Sequence, residues 1–279
     1  MTTLAPASVP AATRPARASW ATQTGQVFRR WIVATWRQVW GPAMSLLQPV
    51  IWIVLFGQVY TALGSLPVFA DGGYIAYLVP GILMMTVLYS GAWAGTGYID
   101  DMNSGVMDQL LSAPLSRSAI ITGQLLQQLV INVLQSAIVL GIGALAGARY
   151  PGGAVGILFA LVAATLLATV FCCASTAVAL ITRNQVALIG LSQMIVLPAT
   201  FLSTTMMPAA LLPDWVQAVA RWNPMTWAVE LARTGLDGTL FSASADAGLL
   251  LAQGGALLGL AALAFAWTLR AIRGYQRSL

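Results

Sequence analysis

The chain has 279 residues, of which 58% are hydrophobic and 8% charged, and this balance excludes an ordinary soluble globular domain. Its thirteen basic residues are all arginine, and it contains no histidine. Without lysine there is no Walker A phosphate loop, and without histidine there is no Ser-His-Asp triad and no histidine-ligated zinc. The composition therefore predicts a membrane protein that is not an enzyme and carries no cofactor or metal of its own. We interpret the net charge of +5 as a topology signal and not as a sign of nucleic-acid binding.

The N-terminal region divides into two predicted segments. Residues 1–19 are rich in Ala, Pro, Thr and Ser and have no apolar core of a signal peptide, which predicts a disordered cytoplasmic tail. Residues 20–40 place Phe28 and Trp36 on one helical face and Arg30 on the other. This pattern, together with Trp31, Trp36 and Trp40, predicts an amphipathic helix at the membrane interface. Residues 20–279 as a whole are expected to form a single membrane domain.

Six charge-free runs follow, and each is long enough to cross a hydrocarbon core of about 30 Å as a helix. The predicted fold is therefore an all-α, polytopic membrane protein with six transmembrane helices. An N-terminus in the cytoplasm leaves only Arg149, Arg221 and Arg233 on the far side, which agrees with the positive-inside rule. Both termini are then cytoplasmic. The predicted span cores are 43–63, 76–98, 119–146, 153–181, 184–205 and 247–269.

Residues 99–118, called the elbow below, carry a cluster of charges between two uncharged stretches. A solvated loop explains the charges, but a short helix with an apolar i, i+3, i+4 stripe at Met107, Leu110 and Leu111 indicates a docking surface. The elbow is therefore predicted to be a cytoplasmic coupling segment. Its candidate residues are Asp100, Asp101, Gly105, Asp108, Leu110, Leu111, Pro114 and Arg117.

Residues 206–245, called the hairpin segment below, are apolar but interrupted by prolines. One amphipathic half-helix is expected to begin at a capping Asp214, and a second one carries Glu230 and Arg233 at i, i+3. Together they predict a re-entrant external helical hairpin, with an ordinary external loop as the alternative. Backbone at membrane depth would have to be covered by protein or face a water-filled cavity.

The six span cores contain no Asp, Glu, Lys or Arg, which argues against proton or sodium coupling. Four amides follow one face of the third span, and they serve either interhelical hydrogen bonds or a substrate path. Aromatic residues in the first two spans offer ring faces to a bulky amphiphile. The candidate path consists of Gln48, Trp52, Tyr89, Trp93, Gln124, Gln128, Asn132 and Gln135.

The order of these parts resembles the membrane subunit of type-2 ABC exporters, in particular the daunorubicin-resistance-like permeases of bacteria. The resemblance covers nearly the whole chain and is carried by SGVMDQLLSAPLSRSAIITGQLL at the elbow and MMPAALLPDWVQAVARWNPMTWAVELAR before the last span. It implies that the elbow is the coupling helix that docks on a separate ATPase, with roles for Gly105, Leu110, Leu111, Pro114 and Arg117. The charges ahead of the glycine depart from the pattern of relatives, so the charge that contacts the ATPase stays open.

The resemblance further implies a homodimer of permeases on two ATPase copies, which hold the ATP and Mg²⁺, in the bacterial cell membrane. The function expected is ATP-driven export of a hydrophobic or amphiphilic drug or lipid-like metabolite. A glycan exporter of the same family, or a non-transporting channel-like or structural membrane subunit, remains the alternative.

Overall fold

The structure, a computed structural model, describes residues 19–37, 40–59, 73–241 and 247–277. Within these ranges the chain is all α-helical and has no strand, as predicted. Two single turns of 3₁₀-helix, Ala209–Leu211 and Thr239–Phe241, lie in the hairpin segment. The helices are α1 (Trp20–Arg37), α2 (Trp40–Val59), α3 (Gly73–Trp93), α4 (Thr96–Asn103), α5 (Val106–Ser112), α6 (Arg117–Leu145), α7 (Gly153–Thr182), α8 (Gln185–Phe201), α9 (Asp214–Ala220), α10 (Pro224–Leu236) and α11 (Ala247–Arg277).

Four described helical segments are long and apolar enough to cross a membrane: Gly73–Asn103, Arg117–Leu145, Gly153–Thr182 and Ala247–Arg277. They coincide with four of the six predicted spans. The other two correspond to shorter apolar helices, Leu46–Val59 and Gln185–Phe201, so the count of six stays a prediction. The tail at 1–18 and the end of the first predicted span at 60–63 lie outside the described residues.

Helix α3 forms the centre of the bundle because its side chains are apolar all round. Leu78, Val79, Leu83 and Leu88 have no exposed surface, and they pack in the main core with residues of α6, α7, α8, α10 and α11. The outward faces of other helices carry large exposed apolar side chains, such as Leu251 at 77% exposure. Surfaces of this kind are stable against lipid and not in water, which fits a membrane protein.

Local signals set the helix ends around the bundle. Helix α7 ends at Arg183, whose φ of 51° is left-handed, and Asn184 then caps α8 by accepting a hydrogen bond from the Ala187 N–H at 3.0 Å. Helix α10 begins with Pro224 in its first turn, and the Asn223 side chain accepts from the Met225 N–H at 3.0 Å.

The hairpin segment folds as α9 and α10, close to the two half-helices predicted. Asp214 is the first residue of α9, and Pro213 occupies the cap position in place of the predicted Asp214. Gly235 of α10 lies against Gly152 and Gly156 at the start of α7 so closely that a Cβ on either α7 glycine would meet the Gly235 carbonyl. The segment therefore lies at the end of the bundle opposite the elbow, which we call the hairpin end.

Side chains of the hairpin segment bind backbone carbonyls of the elements beside it. The Asn223 amide donates to the carbonyls of Ala199 and Leu202 at 2.7 and 2.8 Å, where α8 ends. Arg233 donates to the carbonyls of Tyr77, Thr204 and Thr205, and its guanidinium lies 3.6 Å from the Tyr77 ring centroid. A buried guanidinium thus holds α10 to the start of α3 and to the turn that follows α8.

Candidate functional site

A cavity of about 460 Å³ lies between α2 and α3 and is called the aromatic cavity below. Trp52 stacks on Phe56 with ring centroids 4.7 Å apart, and Tyr89 meets Trp93 edge to face at 6.3 Å. No Asp, Glu, Lys or Arg side chain is among its described lining residues. These are Met44, Gln48, Pro49, Trp52, Ile82, Met85, Thr86, Tyr89, Ser90 and Trp93. The walls therefore offer ring faces, thioethers and neutral polar groups, which suit an apolar or amphiphilic molecule.

The structure brings together half of the predicted substrate path. Gln48, Trp52, Tyr89 and Trp93 all line the aromatic cavity. The sequence gives each of them only as an isolated polar or aromatic residue, and the pairing of α2 with α3 is what makes them one surface.

The four α6 amides do not line this cavity. Gln128 reaches its edge by donating from Nε2 to the Ser90 hydroxyl at 2.7 Å, and it also donates to Asn132 Oδ1 at 3.4 Å. Gln124, Asn132 and Gln135 are at most 3% exposed, inside the helix packing. The stripe therefore belongs mainly to interhelical contacts, the other reading of the pattern, because the face of α6 that carries it is turned toward neighbouring helices.

The helix is interrupted at Ala94 and Gly95, between α3 and α4 and next to the aromatic cavity, and this break is called the joint. The Ala92 carbonyl accepts hydrogen bonds from the hydroxyls of Ser175 and Ser192 at 2.6 and 3.0 Å. The Gly95 N–H donates to the Ser175 hydroxyl at 3.0 Å, and Gln124 Nε2 donates to the Ala94 carbonyl at 2.9 Å. Three neighbouring helices, α6, α7 and α8, thus supply the partners that the broken helix lacks.

Close backbone approach accounts for the glycines near the joint. A Cβ at Gly95 would lie 2.5 Å from the Ser175 carbonyl oxygen, and one at Gly91 would lie 3.2 Å from that of Ala168. A Cβ at Gly97 would meet the Trp31 ring at 2.7 Å. Gly91 and Gly95 therefore pack closely against α7, whereas Gly255 and Gly259 of α11 have no atom within 4 Å of a built Cβ.

The elbow consists of α4 and α5, separated by Gly105 at a left-handed φ of 72°. Asp100, Asp108 and Pro114 are exposed there, as is Arg117 at the first position of α6. These groups form the outward surface of the elbow. They are available to a partner, as the prediction for this segment requires.

Asp101 has an internal role instead. Its carboxylate forms a two-pronged ion pair with the guanidinium of Arg30 on α1, and the Asp101 side chain is 15% exposed. Gln23 of α1 accepts a hydrogen bond from the Ser116 N–H at 2.8 Å, and the Trp20 indole donates to Ser118 at 3.0 Å. The amphipathic helix is therefore clamped on the elbow from one side.

The apolar stripe of the elbow also packs inward. Met107 has no exposed surface and joins a second core cluster with Tyr98, Ile120 and Ile272. Leu110 and Leu111 are half-buried against the same cluster. Met107 therefore packs inside the permease and is not available to a partner, whereas a docking role for the half-buried Leu110 and Leu111 stays a prediction.

Sequence reasoning missed the two serines of the joint and the partner of Asp101. Ser175 and Ser192 are small hydroxyl residues in long apolar runs, a weak signal in any membrane helix. Arg30 is predicted only to lie on the polar face of α1, and its position in the sequence gives no indication of a carboxylate 71 residues away.

The comparisons with known proteins agree with this architecture. The family model described as ABC-2 type transporter matches residues 22–236. A daunorubicin resistance ABC transporter permease protein of Streptomyces coeruleorubidus is 25% identical over 196 residues, which are 70% of this chain and 68% of the relative. A protein of Mycobacterium tuberculosis, described as a probable doxorubicin resistance ABC transporter permease protein, is 23% identical over 233 residues, or 82% of each chain.

Proposed function

Because the chain belongs to the ABC-2 type transporter family, we propose that it is the permease of an exporter that moves a hydrophobic or amphiphilic substrate, a drug or lipid-like metabolite, out of the cytoplasm or inner leaflet. The family implies association with an ABC ATPase subunit. The observation that carries the substrate class is the aromatic cavity, whose walls combine the rings of Trp52, Tyr89 and Trp93 with neutral polar groups.

The chemistry of the cavity favours an amphiphile over a strongly ionic substrate. A permanent charge in a low-dielectric site needs a partner of opposite charge, and the described walls offer none. A cation with an aromatic body could still bind through cation–π contacts. The two drug-resistance relatives support this class by their names alone.

We propose that the movement of the ATPases is transmitted to the aromatic cavity through the joint. Helix α3 carries Tyr89 and Trp93, the joint follows at once, and α4 and α5 of the elbow come next in the chain. Converting a transporter from mostly inward-open to mostly outward-open takes about 5.5 kcal/mol of differential interaction. A pair of ATPases that close on ATP could supply it by moving two docked elbows.

The proposed assembly is a homodimer of permeases on two ATPase copies that hold ATP and Mg²⁺. The proposed location is the bacterial cell membrane, with both termini and the elbow in the cytoplasm and the hairpin segment outside, dipping into the membrane. The arginine distribution supports this orientation. Asn223 and Arg233 of the hairpin segment bind the carbonyls of Ala199 and Thr204, at and just after the end of α8. This cover of interrupted-helix backbone by protein groups supports a re-entrant position.

ATP hydrolysis by the complete complex in nanodiscs tests the substrate class. Hydrophobic drugs, lipids and lipid-linked glycans are titrated in parallel, and we expect stimulation by the apolar compounds. Trp52→Leu should raise the concentration needed for half-maximal stimulation about tenfold, since it removes an aromatic wall of the cavity. Trp267→Leu, at a 43% exposed tryptophan of α11 outside the cavity, is the matched control and should change nothing.

Three results would contradict the proposal. Stimulation by glycans alone would favour the glycan exporter, and an equal effect of the two tryptophan variants would place the substrate elsewhere. A complex that never responds to any substrate while its ATPase binds normally would favour the structural or channel-like subunit.

A further inference from the structure

A second cavity, of about 760 Å³, lies at the hairpin end between α9, α10 and the start of α11. It is separate from the aromatic cavity and shares no lining residue with it. Unlike that cavity it is lined by both a carboxylate and a guanidinium, those of Glu230 and Arg221, and by two indole rings, those of Trp222 and Trp227. None of the residues proposed above to contact the substrate lines this second cavity, so the proposed function does not account for it.

The carboxylate in this cavity is held in place by an amide. Gln253 of α11 donates from Nε2 to Glu230 Oε2 at 2.6 Å. A carboxylate only accepts, so this bond fixes which end of the amide faces Glu230. Gln253 is 7% exposed, and its own Oε1 is buried without a hydrogen-bond partner. A buried acceptor without a hydrogen-bond partner lowers the stability of the folded protein. Gln253 is nevertheless oriented so that its Nε2 donates to Glu230 while its Oε1 has no partner.

Among the described residues, Glu230 and Arg221 do not form an ion pair with each other. Within the part of the chain that the structure describes, no cationic side chain forms an ion pair with Glu230. Arg233, one turn further along α10, directs its guanidinium to the backbone carbonyls of Tyr77, Thr204 and Thr205. Arg221 is exposed, and its backbone carbonyl accepts the Trp227 indole N–H at 2.7 Å, which holds that ring.

The cavity lies where a membrane surface would meet the bundle. Helix α11 begins at Ala247, which is also the first residue of the predicted span core 247–269, so its first turns lie at one boundary of the hydrocarbon core. Leu249 and Gln253 of those turns line the cavity. Trp215 and Trp222 are 65% and 79% exposed beside it, as tryptophans at headgroup level commonly are.

We propose that this cavity binds the zwitterionic headgroup of a phosphoethanolamine-type lipid. Its ammonium group donates hydrogen bonds to Glu230, its phosphate pairs with Arg221, and its chains lie along Leu249 and Trp222. An anion alone would face Glu230, and a cation alone would face Arg221, so only a ligand with both charges complements both groups. The bound lipid would brace α10 against α11 at the hairpin end.

The test measures lipid binding to the full-length permease in a neutral maltoside detergent by tryptophan fluorescence. The probes are three dihexanoyl lipids that share their chains: phosphatidylethanolamine, phosphatidylcholine and phosphatidylglycerol. Phosphatidylcholine has no N–H donor and phosphatidylglycerol has no cation. We expect phosphatidylethanolamine to bind about tenfold more tightly than either, the discrimination typical of charged hydrogen bonds.

Two substitutions separate the two charges. Glu230→Gln keeps the shape and should weaken phosphatidylethanolamine about tenfold while leaving phosphatidylglycerol unchanged or tighter, which also shows that the variant is folded. Arg221→Gln should weaken all three lipids, because all carry the phosphate. Arg149→Gln, at an exposed arginine outside the cavity, is the matched control and should have no effect.

Equal affinity for the three lipids would overturn the proposal, as would an unchanged preference in Glu230→Gln. Free O-phosphoethanolamine should bind far more weakly than the lipid, and equal binding would contradict a lipid occupant. None of these measurements depends on ATP or on transport, so their failure and the failure of the exporter assignment are distinguishable.

Discussion

Single side chains in this permease satisfy backbone groups that membrane helices normally satisfy within themselves. Ser175 and Ser192 bind the Ala92 carbonyl at the joint, and Arg233 binds three carbonyls at the hairpin end. Lipid offers no hydrogen bonds, so every such break needs a protein partner. These residues mark the two places where the helices of the bundle are interrupted.

Gly95→Ala tests the joint at the residue scale. A Cβ there meets the Ser175 carbonyl at 2.5 Å, so we expect the free energy of unfolding to fall by about 1–3 kcal/mol, as overpacking does elsewhere. The melting temperature of the purified permease measures this. Gly190→Ala in α8 has no atom within 4 Å of its Cβ and should be neutral or slightly stabilising. Equal melting temperatures for the two variants would show that the joint has room to relax.

At the scale of elements, the elbow is tied into the permease on its inner faces. Helix α1 holds it through the Arg30–Asp101 ion pair, and Met107 anchors α5 in the second core cluster. A short pair of helices with both inner faces fixed moves as a unit with the start of α6 and the end of α7. The elbow therefore suits the transmission of a push from a docked ATPase to the joint.

Arg117→Glu tests whether the outward surface of the elbow docks the ATPase. Arg117 is exposed at the first position of α6, where an acidic residue is favourable to the helix, so the permease itself should melt as before. We expect its affinity for the ATPase to fall about tenfold, because a charge-assisted contact turns repulsive. Pull-down titration of the two purified subunits measures this.

The matched control for Arg117→Glu is Arg149→Glu, the same reversal at an exposed arginine outside the elbow. It should leave the affinity unchanged. If both variants bind the ATPase like the wild type, Arg117 is not part of the docking surface, and the exposed Asp100 and Asp108 become the residues to reverse.

For the whole molecule, the elbow and the hairpin segment lie at opposite ends of a bundle centred on α3. The elbow and α1 occupy one end, and α9 and α10 occupy the other. The aromatic cavity lies between α2 and α3, next to the joint. An exporter needs this order of parts, with a driven end, a cavity, and an end at which the substrate leaves.

Cysteine accessibility tests the orientation of the whole chain. The native Cys172 and Cys173 are both buried, so they give little background labelling. In intact cells, a cysteine at the exposed Ala210 of the hairpin segment should react with a membrane-impermeant thiol reagent, and one at the exposed Ser104 of the elbow should not. Both should react once the membrane is permeabilised. The reverse pattern would overturn the positive-inside assignment.

The amino-acid sequence by itself determined the class of protein, the four long apolar helices, and the short helices of the elbow and of the hairpin segment. Hydropathy, charge runs and the glycine and proline positions are local properties, and a helix satisfies its own backbone within a few residues. For the same reason α10 was predicted with its Glu230 and Arg233, and α5 with its apolar stripe. These inferences do not depend on which helices pack against each other.

Only the tertiary structure decided which side of each helix faces a neighbour. Arg30 meets Asp101 across 71 residues, and Ser175 meets the Ala92 carbonyl across 83. Met107 on α5 was expected to face a partner and packs inward, and three of the four α6 amides are buried away from the cavity. Periodicity identifies a face, but in a membrane bundle the neighbour of that face is set by packing between distant segments, which local sequence does not encode.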